Sequence, residues 1–114
     1  MADCLFCKII EKKIPAKIAY EDDKVLAFHD IGPQAPVHVL IIPKEHIPAV
    51  DSLTEKHQEL VGHIHLIAQK LARELKISKT GYRLVINNGQ DAGQAVAHLH
   101  LHLLGGRKMQ WPPG

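Results

Sequence analysis

The chain has 114 residues, near the commonest size of one domain, so residues 1–114 are expected to bury a single core. Apolar residues make up 46% and charged residues 23%, a globular balance that excludes disorder. The formal net charge of +2 is spread along the chain and forms no polyanion-binding run, and no stretch reaches the roughly 18 apolar residues of a membrane span, so neither a nucleic acid nor a membrane partner is expected.

Met1-Ala2-Asp3-Cys4 carries no basic segment leading into an apolar run, which reads as a protein without a secretory signal and predicts a cytoplasmic location. Leu5, Phe6, Ile9 and Ile10 recur at helical spacing and predict a short helix that ends before Pro15. Ile18 to Tyr20 and Val25 to Phe28, parted by Glu21-Asp22-Asp23-Lys24, predict a hairpin, and Asp30-Ile31-Gly32-Pro33 breaks the chain after it. His38 to Ile42 is an apolar strand closed by Pro43, which has no ladder donor.

Ser52 followed by Glu55 has the form of a capping box, and Leu53, Leu60, Ile64, Ile67, Leu71 and Leu75 keep a period of three or four. The main helix is therefore expected behind Ser52, running to about Lys76. Tyr82 to Ile86 reads as a strand, residues 87 to 94 as a loop rich in Gly and Asn, and Ala95 to Leu104 as the last strand. These elements predict an α+β fold with an antiparallel sheet of about five strands, one long helix and one short one.

Nine histidines against an aromatic fraction of 4% are the anomaly of the composition. Three stand in strict alternation in His98-Leu99-His100-Leu101-His102-Leu103-Leu104. On a strand of period two their imidazoles share one face, with the leucines on the other. Packing alone is a poor explanation for three neighbouring imidazoles, which repel when protonated and need partners when buried. Two chemistries fit: a metal site with three neutral imidazole ligands, or a nucleophilic histidine whose neighbours set its tautomer and bind the group under attack. Gly89, Gly93 and Gln94 resemble an anion-binding turn, which favours the nucleophile. His57, His63 and His65 read as solvated or packing residues. Cys4 and Cys7, three apart, read as a metal or redox pair before a structural disulfide.

The segment Gln94 to Gly106 resembles the signature of the histidine-triad superfamily, His-φ-His-φ-His-φ-φ with φ apolar. Ile14-Pro15-Ala16-Lys17, Phe28-His29-Asp30-Ile31, Pro33-Gln34-Ala35-Pro36, Ile42-Pro43-Lys44-Glu45-His46, Gly81-Tyr82-Arg83 and the terminal Gly105 to Gly114 are similar, in order, to its nucleotide-binding branch. That resemblance implies a hydrolase of purine nucleoside phosphoramidates that releases AMP or GMP and uses no organic cofactor. His100 would be the nucleophile, His102 would bind the phosphate, and His38 would support the site and the leaving group. Asp30 would hold the ribose, Phe28, His29 and Ile31 would surround the purine, and Asn87, Gly93 and Gln94 would line the phosphate side.

The same resemblance implies a structural zinc bound by Cys4, Cys7, His46 and His98, and a homodimer across which the sheet continues and whose interface takes in the Trp111-Pro112-Pro113 tail. Ala95 departs from the many relatives that carry Ser or Thr there, so one hydroxyl near the phosphate is missing. Two other readings stay open: a metal-dependent hydrolase that uses His98, His100 and His102 as ligands, and a dimeric nucleotide-binding adaptor with vestigial catalysis.

Overall fold

The computed structural model describes residues 3–114. Five strands, β1 (Ile18–Glu21), β2 (Val25–His29), β3 (Val37–Pro43), β4 (Tyr82–Val85) and β5 (Leu101–Gly105), form one antiparallel sheet in the order β1-β2-β3-β5-β4. The short helix α1 (Leu5–Ile10) lies on one face and the long helix α2 (Gln58–Glu74) on the other. This is the α+β architecture that the sequence predicts.

Covering both faces explains the composition of the central strands. β2 and β3 are buried on either side, so they read as continuous apolar runs instead of alternating ones. Val25, Ala27, Val39, Ile41, Leu101 and Leu103 pack against Ile64, Ile67, Ala68, Leu71 and Ala72 of α2. Leu26, Phe28, Leu40 and Ile42 point the other way, onto Phe6 and Ile9 of α1. Gly105 ends β5 where a Cβ would lie 2.5 Å from Ile77 Cδ1, so a larger residue there would push the chain after α2 off the sheet.

Two boundaries differ from those expected. The main helix does not start behind Ser52. Val50–Ser52 and Glu55–His57 form single 3₁₀ turns separated by an extended Leu53, and α2 begins at Gln58. The capping box is formed by Thr54 and His57, whose Nδ1 accepts from the Thr54 amide at 3.0 Å, so a buried histidine plays the part expected of Glu55.

The last strand is also shorter than Ala95 to Leu104. The His98 amide donates to Val96 O at 2.8 Å, a tight turn that breaks the ladder, and the Pro43 carbonyl is taken at 2.8 Å by Nε2 of His98. Pro43 has no amide to offer, so pairing ends at Ile41 with Leu101. Only His102 of the three alternating histidines therefore stands on a regular strand. Their sidedness survives: His98 and His100 contact Phe6 on the α1 side, while Leu99 and Leu101 lie towards α2 beside Ile64.

Candidate active site

Antiparallel register brings the chemistry together. Leu40 of β3 pairs with His102 of β5 and His38 pairs with Leu104, so His38 and His102 are diagonal neighbours on the α1 face. Nε2 of His38 lies 2.9 Å from Nδ1 of His102 and 3.5 Å from a carboxylate oxygen of Asp30, which leaves the end of β2. His100 follows at a ring-centroid distance of 5.0 Å from His102 and meets Phe6 edge to face at 5.1 Å.

Fixed donors and acceptors decide the tautomers. The Gln34 amide can only donate, and it donates to Nδ1 of His38 at 3.1 Å, so neutral His38 carries its proton on Nε2. That proton points to Nδ1 of His102, which leaves the His102 proton on Nε2. Among the described residues this is a buried side-chain polar atom with no hydrogen-bond partner, a donor left free for a ligand. The carbonyl of His98 can only accept, and it takes Nδ1–H of His100 at 2.7 Å. The Nε2 lone pair of His100 is consequently bare, as a nucleophile requires.

Burial favours the neutral form of His38 and His102. It lowers the pKa of His38 against the opposing charge of Asp30. His102 is lowered to about 4 by burial first, then by the neighbouring His100 and His38.

Beside them opens a cavity of about 270 Å³ with mostly apolar walls, lined on one side by Phe28, His29, Asp30 and Ile31 and on the other by Leu5, Phe6 and Ile9, with His100 and His102 at its edge. Ile31 is fully exposed at the rim. A larger cleft of about 540 Å³ lies near the β1–β2 turn and the start of α2, but its histidines are engaged in tying elements together: His63 to Asp22 at 2.6 Å and His57 to Glu45 at 3.2 Å. The 270 Å³ cavity has the apolar walls and few convergent polar groups of a ligand site.

The structure brings together His38, His100, His102, Phe28, His29, Asp30 and Ile31, all expected from the sequence. Asn87, Gly93 and Gln94 are not brought to the cavity wall. The Gln94 side chain accepts from the Gly89 amide at 2.9 Å and donates to Pro48 O at 2.8 Å and Val96 O at 3.0 Å, which holds Ala95 at the cavity rim. The α1 wall of Leu5, Phe6 and Ile9 was missed; its only trace in the sequence is a short helix with more apolar residues than one buried face needs.

A second cluster lies behind the first. One donor atom from each of Cys4, Cys7, His46 and His98 falls within 4.8 Å of all the others. Cys4 Sγ is 3.4 Å and Cys7 Sγ 3.7 Å from Nδ1 of His98, Cys7 Sγ is 3.3 Å from Nδ1 of His46, and the two Nδ1 atoms are 3.2 Å apart. Tetrahedral zinc with S and N ligands requires donor separations of about 3.3 to 3.8 Å, so the set fits that ion. The chemistry agrees. Nε2–H of His98 is spent on Pro43 O, which turns a lone pair on Nδ1 toward the thiols, while burial and the adjacent Cys4 push the Cys7 thiol up to about 11 without a cation. His98 thus faces the cysteines, away from any shared ligand position with His100 and His102. Among the described residues, the three alternating histidines form no group that converges on one ion; a further close set is Asp30, His38 and His102, the hydrogen-bonded chain already described.

The HIT domain family matches residues 11–109. A HIT-like protein of Synechocystis sp. is 54% identical over 112 residues, covering 98% of this chain and 97% of its own. A HIT family hydrolase from Legionella pneumophila Philadelphia 1 superposes with a TM-score of 0.97 at 53% identity, covering 98% of this chain and all of its own. A histidine triad nucleotide-binding protein from Candida albicans does so with a TM-score of 0.82 at 35% identity, covering 96% and 83%. The matched span takes in all five strands and the alternating histidines, and by it the chain belongs to the HIT family.

Proposed function

We propose that this protein hydrolyses the phosphorus–nitrogen bond of purine nucleoside phosphoramidates through a nucleotidyl intermediate on His100, releasing AMP or GMP. The observation that carries this reading is the pairing of a bare Nε2 on His100 with an unpartnered Nε2–H on His102, each fixed by the hydrogen bond on its other nitrogen. Relatives described as a HIT family hydrolase and a histidine triad nucleotide-binding protein support the substrate class.

In this mechanism Nε2 of His100 forms the new bond to phosphorus as the substrate's phosphorus–nitrogen bond breaks. The departing nitrogen leaves as the neutral amine, taking its proton from solvent. Water then attacks phosphorus as the phosphorus–Nε2 bond to His100 breaks, its oxygen joining the phosphate and its proton returning to solvent, which leaves His100 free again. Nε2–H of His102 donates to a phosphoryl oxygen and stabilises the charge that grows there. His38 supports His102 and the leaving group, Asp30 binds the ribose hydroxyls, and the base lies between Phe28, His29 and Ile31 on one side and α1 on the other. Gln94, with Asn87 and Gly93, shapes the loop on the phosphate side.

Cys4, Cys7, His46 and His98 would hold one zinc, and with four protein donors its part would be structural, joining α1 to the strand approach that carries His100. Two cysteines that form no disulfide suit a reducing, cytoplasmic setting. Among the described residues the outer edge of β4 pairs with no strand and exposes Tyr82 and Leu84, and Leu66 of α2 is also exposed, which supports a homodimer continuing the sheet through that edge.

Incubation with adenosine 5′-phosphoramidate tests the reading: stoichiometric excess of AMP over enzyme supports it. AMP binding without release would instead identify a binding adaptor.

A further inference from the structure

We propose that Arg107 is a positioning residue for the phosphoryl-transfer site, holding the Gln34 amide against Nδ1 of His38 and so keeping the His38 proton on the side that serves His102. The inference rests on the nucleophilic reading of His100 for its effect on turnover, but not for its effect on the free protein.

The path is short. β5, which carries His102, ends in Gly105, and the chain then turns at Gly106, whose φ is +90°. A Cβ at Gly106 would come within 2.9 Å of Pro36 Cβ, so the strand end and the loop between β2 and β3 touch at a point that only glycine fits. This turn lays Arg107 across the loop, where its Nε donates to Gln34 O at 2.9 Å and its Nη1 to Lys108 O at 3.2 Å. The guanidinium bridges the C-terminal segment and the loop.

Gln34 is then held on both sides: its carbonyl by Arg107, its amide by the His38 ring at 3.1 Å. The rest of the loop is tied locally, with the Gln34 side chain donating to Gly32 O at 3.1 Å, the Gly32 amide to Asp30 Oδ1 at 2.8 Å, and the Asp30 amide to His38 O at 2.9 Å. None of these bonds holds the Gln34 carbonyl; Arg107, just past the end of β5, does, and so fixes the tilt of the peptide whose amide meets the His38 ring. An exposed loop residue without it would swing, and His38 Nδ1 would lose the donor that forbids a proton there. With a proton on Nδ1, Nε2 either loses its hydrogen or joins an imidazolium facing Asp30 and His102, and the direction of the chain to His102 is no longer set.

The test is ¹⁵N NMR of the imidazole nitrogens in nucleotide-free protein at neutral pH, with steady-state kinetics on adenosine 5′-phosphoramidate beside it. The parent protein should show His38 with Nδ1 unprotonated and Nε2 protonated. Arg107→Ala should show His38 Nδ1 partly protonated and kcat lowered about threefold to tenfold, the range one ordinary hydrogen bond supports, with KM within about twofold. Arg107→Lys, which keeps a donor, should restore most of both. Arg107→Met keeps the apolar stem and repeats the comparison if the alanine variant does not fold. An unchanged His38 nitrogen pattern in the folded variants overturns the proposal, whatever happens to the rate. A parent protein with the expected His38 tautomer but no turnover would overturn the proposed reaction and leave the positioning role standing.

Discussion

Phe6→Ala links the N-terminal helix to both stability and binding. Phe6 is 4% exposed, meets Phe28 edge to face at 5.5 Å, and touches the rings of His98 and His100 at 5.9 and 5.1 Å. Truncating a buried Phe removes about 3 to 5 kcal/mol, and its aromatic contacts are part of that loss. Because α1 has only six residues and packs from one side, the lower figure, about 3 kcal/mol, is expected. With a urea slope near 1.5 kcal/mol per molar, the unfolding midpoint should fall by about 2 M. Phe6 also walls the cavity, so AMP affinity should weaken about tenfold, or 1.4 kcal/mol. Urea titration followed by circular dichroism and calorimetric titration with AMP read both quantities. A midpoint within about 0.3 M of the parent, or unchanged AMP affinity, would refute the placement of α1 as a wall of the site.

Acid should destabilise the fold from about pH 6.5 downward, because the unfolded chain binds a proton at His102 there and the folded chain does not until about pH 4. The contribution lost by pH 4 is roughly 3 kcal/mol, with His38 acting in the same direction; His102→Asn should flatten the dependence of urea stability on pH, and an equal slope would contradict the burial argument. Ala95→Ser places a hydroxyl on the cavity rim and should raise turnover of substrates with poor leaving groups up to about tenfold, measured as kcat; an equal or lower rate removes Ala95 from the phosphate side. Chelation should lower the melting temperature more than room-temperature activity, and protein purified without added zinc should contain close to one equivalent; well under half an equivalent, or unchanged stability of a Cys4→Ser, Cys7→Ser double variant, would remove the metal from the account.

Much of the fold was legible because each strand advertised itself locally. The apolar run from His38 to Ile42 and the turn residues after Tyr20 are enough to place β1, β2 and β3. The misread boundaries depend on contacts distant in sequence. Nothing near Ala95 reveals that the Pro43 carbonyl is claimed by the His98 ring 55 residues away, and no local pattern marks His57 as a capping residue in place of Glu55. The site shows the same division. His100 and His102 are visible through alternation, and the resemblance supplies Asp30 and His38. Phe6 and Arg107 are invisible because their partners, Phe28 and Gln34, are brought to them only by the sheet and by the turn at Gly106.

Rapid quench of the protein with adenosine 5′-phosphoramidate into alkaline denaturant, followed by peptide mass spectrometry at neutral to alkaline pH, tests the central claim most directly, because the bare Nε2 of His100 matters only if phosphorus becomes bonded to it. The account predicts one adduct, an adenylyl group on the peptide bearing His100, absent in His100→Ala although that variant still binds AMP within about tenfold of the parent. An adduct on another residue, or sustained AMP release by His100→Ala, would contradict it.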